Sequence, residues 1–128
     1  MKVRSRNEFR KALIEMLEKK PVEKISVTEI LEQSGYSRSS FYRNYVDYYD
    51  FVESVIRDEA ETLASMLGEL MKHYRVESGL NKSVLCGIME HVYEERVLYH
   101  MIFTAQNFLS SVTARALISS GVFSPYLL

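Results

Sequence analysis

The sequence predicts an all-α protein, and three observations carry that expectation. Apolar residues recur three and four positions apart along most of the chain, as the buried stripe of a helix requires. No run of β-branched residues alternates strictly with polar ones, so a half-buried strand has no pattern to form from. Two prolines and five glycines in 128 residues are too few to supply the regular turns of a sandwich or barrel. With 47% hydrophobic and 26% charged residues, the composition is that of a folded domain, or of a small head joined to a second helical body.

The elements follow in order. Within NEFRKALIEMLEKKP, Phe9, Leu13, Ile14 and Leu17 define an amphipathic helix over 7–19, with Asn7 as its N-cap. Pro21 stops it, because proline disfavours the α region for the residue before it and offers no N–H. A second helix opens at Ser26, where Glu29 three residues on completes a capping box, and it turns Val27, Ile30 and Leu31 inward. Gly35 supplies the positive φ that closes this helix. Ser37 caps a third over 38–44, with Phe41 and Tyr45 inward. Asp47 and Asp50 repeat the capping arrangement before a helix of more than twenty residues carrying Phe51, Val52, Val55, Ile56, Leu63, Leu67, Leu70 and Tyr74. A helix starting near Asn81 carries Val84, Leu85, Ile88, Met89 and Val92. Shorter ones are expected over 97–103 and 107–119, the last ending before Gly121.

Charge divides the chain. Residues 1–45 hold ten Lys or Arg against six Glu, a balance of +4, while 46–128 balance at −5. A basic first segment on an acidic body fits a head that meets a polyanion. The short helices around Gly35 fit the same purpose. Joined by a tight glycine turn, two such helices cross at a wide angle, so that the first braces while the second projects a face outward. This is the pattern of a helix-turn-helix. The outward face of 38–44 is Arg38, Ser39, Tyr42 and Arg43, polar and cationic without an acid. It suits the major groove of DNA, with Thr28 at the start of the bracing helix placed for a phosphate.

The stretch SVTEILEQSGYSRSSFYRNY, followed by a capped helix at DYYDFVESVI, resembles the N-terminal domain of the tetracycline-repressor-like (TetR) transcription regulators. Gly35, Ser37, Phe41, Tyr42 and Tyr45 fall at that family's spacing, and the resemblance covers residues 9–56. It implies a DNA-binding domain over 1–46 and a helical ligand-binding and dimerisation domain over 47–128. It implies operator contacts from Thr28, Ser37, Arg38, Ser39, Ser40, Tyr42, Arg43 and Asn44. Where the family carries a phosphate-gripping lysine at the entrance of the fourth helix, this chain has Tyr48, which can donate one hydrogen bond but adds no charge. Weaker electrostatic affinity is therefore expected unless Lys2, Arg4 and Arg6 compensate as a basic arm. Family members continue into two further helices that form a dimer bundle, and the sequence is expected to stop before that pair.

The implied function is a cytoplasmic repressor that binds double-stranded DNA as a homodimer or heterodimer through its C-terminal helices and answers to a small-molecule effector. Residues 114–118 with Val122 and Phe123 offer an apolar surface for the pairing. Tyr93, Tyr99, His100, Phe103 and Phe108, with Met101, are the candidate effector contacts, aromatic and soft with a few polar tips. The rival is a protein-interaction module that pairs with another regulator and binds DNA weakly or not at all. No catalytic constellation, cofactor motif or metal site is expected: His91 and Glu95, four apart, fit a solvated acidic face better than a pair of ligands. Cys86, the only cysteine, is expected to be a buried, inert thiol on an apolar stripe. No signal peptide or membrane span is legible.

Overall fold

In a computed structural model, residues 2–77, 81–105 and 108 are described. They form six α-helices and no strands: α1 Lys2–Leu17, α2 Val27–Ser34, α3 Arg38–Asn44, α4 Tyr48–Glu77, α5 Lys82–Glu94 and α6 Arg96–Thr104. A 3-10 turn, Val22–Lys24, links α1 to α2. The expected helix over 107–119 and the pairing surface at 114–118 and 122–123 lie outside the described residues.

Helix α1 is the element against which the others are arranged, since it packs on α2, α3 and α6, while α5 packs on α4 and α6. Its buried stripe is Phe9, Ala12, Leu13 and Met16, and it meets Val22, Ile25, Ile30, Phe41, Tyr45, Phe51, Val52 and Val55 in one cluster. Phe9, Phe41, Tyr45 and Phe51 stand at the centre with ring centroids 5.0–6.5 Å apart, edge-on or tilted. That is the spacing aromatic quadrupoles prefer. Leu98 and Met101 of α6 belong to the same cluster. Helix α4 runs 30 residues, and its apolar series does not stay covered: Leu70 is buried, whereas Leu67, Met71 and Tyr74 are about half exposed.

Three expectations need correction. α1 starts at Lys2 rather than Asn7, which is an exposed residue inside the helix. The physical reason is tertiary: Ser5, in the added turn, is buried and accepts a hydrogen bond from Asn44 of α3. Lys2, Arg4 and Arg6 therefore sit on a helix and not on an extended arm, and the Arg6 guanidinium lies 5.3 Å from the centre of the Tyr45 ring. Cys86 is exposed, because it falls off the stripe of α5 that buries Ile88.

Candidate nucleic-acid interface

The geometry of α2 and α3 comes from their ends. Ser26 Oγ accepts from the Glu29 N–H at 3.3 Å and the Glu29 carboxylate accepts from the Ser26 N–H at 3.2 Å, the reciprocal capping box. Lys20 forms an ion pair with Glu29 and, together with the Ser26 bonds, holds its carboxyl below the usual carboxylate range. At the other end Gly35 has φ +77° and donates its N–H to Leu31 O at 2.9 Å. A Cβ built at Gly35 would meet nothing within 4 Å, so backbone conformation and not crowding requires glycine there. Two residues later Ser37 Oγ accepts from the Ser40 N–H at 3.2 Å and starts α3. Asp47 then accepts from the Asp50 N–H at 2.8 Å, and Asp50 from the Val46 N–H at 2.9 Å.

These caps present one face of α3 to solvent. Phe41 and Tyr45 are buried beneath it, while Arg38, Ser39, Tyr42 and Arg43 are exposed, Tyr42 to 47%. The Tyr42 ring rests edge-on against Phe41, centroids 5.3 Å apart, which steadies the phenol without covering its hydroxyl end. Arg38 donates to Thr28 Oγ1 at 2.9 Å, so the first residue of α3 and the first turn of α2 are joined on the exposed side. Accepting there, the threonine hydroxyl keeps its own proton for an outside acceptor. Helix α3 carries no acid, so none of its own side chains opposes an approaching anion.

Not every expected residue stands on that face. The structure brings Thr28, Ser37, Arg38, Ser39, Tyr42 and Arg43 to the exposed side, with Ser40 partly covered and Ser37 engaged as the cap. Asn44 is turned toward α1: its amide donates to Ser40 O at 2.9 Å and to Ser5 Oγ at 3.4 Å, and its carbonyl oxygen is buried. Tyr48 departs too. Its hydroxyl donates to Val22 O at 2.7 Å, and burial pushes the phenol well above the usual tyrosine range, so it clamps the α1–α2 connection instead of facing outward.

The candidate effector residues divide between two places. Tyr93, Tyr99, His100 and Phe103 line a shallow, mostly apolar groove of about 460 Å³ between α5 and α6, with Ile88, Met89, Val92 and Arg96. The Arg96 guanidinium lies 4.4 Å from the centre of the Tyr93 ring. Phe108 is elsewhere, stacked on Tyr49 at 5.3 Å, and Met101 is buried in the core. A larger cavity of about 790 Å³ opens between the α1–α2 connection and α6, lined by Leu17, Lys19, Pro21, Arg96, Val97 and His100 among others.

One polar cluster was not legible beforehand. Glu59 of α4 is 3% exposed, and its carboxylate is met by the Tyr99 hydroxyl at 2.6 Å, His91 Nε2 at 2.6 Å and the Arg10 guanidinium at 3.4 Å. Arg10 also reaches Glu95 at 3.0 Å. Burial and the neighbouring Glu59 carboxylate push the Tyr99 phenol above the usual range. The available signal was a carboxylate on the apolar stripe of α4, four residues after Val55 and four before Leu63. Among the described residues no group of three or more His, Cys, Asp or Glu could hold a metal ion, and no helix is long and apolar enough to cross a membrane.

Comparison with known proteins is sparse. No family model matches the chain, and no solved structure matches it. It is 24% identical over 102 residues to an uncharacterized HTH-type transcriptional regulator, YxbF, of Bacillus subtilis (strain 168). The match takes in 79% of this chain but 27% of that protein, so the chain spans little more than a quarter of the length of the relative it matches.

Proposed function

We propose that this chain is a DNA-binding transcription regulator of TetR type, in which α2 and α3 act as a helix-turn-helix and α3 enters the major groove. The observation that carries the proposal is the two-sided character of α3: Phe41 locks one side into the core while Arg38, Ser39, Tyr42 and Arg43 leave an exposed cationic side without an acid. Arg38 and Ser39, at the N-terminal end, address base edges, while Tyr42, Arg43 and Thr28 bond to phosphates. The resemblance to a regulator named for a helix-turn-helix supports the same reading. Residues 1–46 are then the DNA-binding head, and 47–128 belong to a cytoplasmic body that pairs with a second copy or a relative. Pairing matters energetically, because one good bidentate base contact discriminates by only about 1–3 kcal/mol and a single short helix makes few.

Repression relieved by a small, largely apolar effector in the α5–α6 groove completes the proposal. Selection of sites from a random duplex pool tests it: enriched sequences carrying two related half-sites about one helical turn apart are expected. Recovery of an unenriched pool would contradict sequence-specific recognition. A second reading, a module that acts by binding another regulator, is favoured by Met89, Tyr93 and Phe103, each about two-thirds or more exposed on one groove. Mixing with a full-length relative, with and without Tyr93→Ser, separates the two, since only the module reading makes that substitution decisive.

A further inference from the structure

Glu59 is placed as no other acidic residue among those described is: buried to 3% exposure, with donors from three different helices converging on one carboxylate. Arg10 comes from α1, His91 from α5 and Tyr99 from α6. Two features make the cluster more than a local ion pair. First, Tyr99 lines the α5–α6 groove with its ring while its hydroxyl is held by Glu59, so the groove wall and the cluster share a side chain. Second, Arg10 adjoins Phe9, whose ring packs edge-on against Phe41 at 5.4 Å, and one turn earlier Ser5 takes the hydrogen bond from Asn44. A single helix thus connects the cluster to the middle and the C-terminal end of α3.

We infer that Glu59 is a positioning residue: it sets α1, and through α1 the exposed face of α3, according to where α6 places Tyr99. A buried carboxylate cannot lose a donor and stay as it was, because its lone pairs must be satisfied within the protein. When α6 withdraws the Tyr99 hydroxyl, Glu59 and Arg10 rearrange, and α1 moves with the arginine it carries. The consequence for DNA rests on the function proposed above; the coupling itself does not.

Amide hydrogen exchange on the full chain, at one pH and temperature, tests the coupling. Tyr99→Phe keeps the ring in the groove and removes only the hydroxyl. It is expected to speed exchange about tenfold in α1 and α3 as well as in α6, the opening expected when a bond to a charged group is lost. Glu59→Gln, which removes the charge that Arg10 and His91 meet, is expected to speed exchange in α1 and α3 at least as much. Arg10→Met combined with Tyr99→Phe is expected to speed exchange in α3 by clearly less than the product of the two single effects, since both changes act on the Glu59 carboxylate even though Arg10 also pairs with Glu95. Faster exchange confined to α6, or single effects that multiply in the double variant, would overturn the inference. A parallel titration with a mixed-sequence duplex keeps the two proposals apart. Absence of binding by the unsubstituted chain would sink the DNA reading, while the exchange pattern would still decide the role of Glu59.

Discussion

Gly35 and Tyr48 show how single residues hold the exposed face of α3 in place without belonging to it. At Gly35 the left-handed φ of +77° is what an L side chain resists, while the space around it is open. Gly35→Ala is therefore expected to lower unfolding free energy by about 1–2 kcal/mol through the backbone alone. Urea denaturation checks this, and an unchanged or higher midpoint would contradict it. Tyr48 makes a prediction in pH. Its phenol is raised above the ordinary tyrosine value near 10, so the neutral form is favoured in the native state. The stability this contributes is fully present below about pH 10 and is lost as rising pH ionises the unfolded chain first. Denaturation midpoints should fall as the pH is raised above about 10, and less steeply in Tyr48→Phe. Of the expected surface residues, Ser39 and Arg43 were legible because the helical period places them opposite Phe41, and Arg38 and Tyr42 because they are polar-tipped side chains flanking that side. Asn44 and Tyr48 were not, since only the path of α1 and of the Val22 turn decides that they bond inward.

At the scale of elements, caps were the readable signals. The Ser26–Glu29 box, the glycine closing α2 and the Ser37 cap all stand where local side-chain chemistry requires. Each depends on atoms within four residues, which is why the sequence alone sufficed. Ser26→Ala is expected to cost about 1 kcal/mol, measured by thermal or urea melts, because it leaves the Glu29 N–H without its acceptor. A loss near zero would mean that water replaces the hydroxyl fully. The start of α1 was misplaced for the opposite reason. Nothing within KVRSR marks a helix by its apolar period, and that turn is fixed from afar by Asn44 on Ser5. The exposed thiol of Cys86 has the same origin, since which side of α5 is covered depends on how it lies along α4 and α6.

At the scale of the whole molecule, one hydrophobic cluster runs from the aromatic centre of α1, α3 and α4 into Leu98 and Met101 of α6. The all-α class was legible from period and composition, whereas this continuity joins residues tens of positions apart, and of the Glu59 cluster only the carboxylate on the apolar stripe of α4 was visible locally, not its partners. Leu98 is fully buried, so Leu98→Ala is expected to cost about 2–5 kcal/mol. It should also shift helix content and tyrosine fluorescence together in urea; two separated transitions would show that α6 and the aromatic centre unfold independently. The position of α3 is thus set by the same packing that holds α6, one of the two helices lining the groove.

The most direct measurement is the salt dependence of duplex binding, followed by fluorescence anisotropy for the unsubstituted chain and for Arg43→Ala. If α3 lies in the major groove with Arg43 on a phosphate, the slope of log affinity against log salt should fall in magnitude by about one for the variant, with weaker binding to every sequence. Identical slopes and affinities for the two proteins would contradict the recognition role assigned to α3.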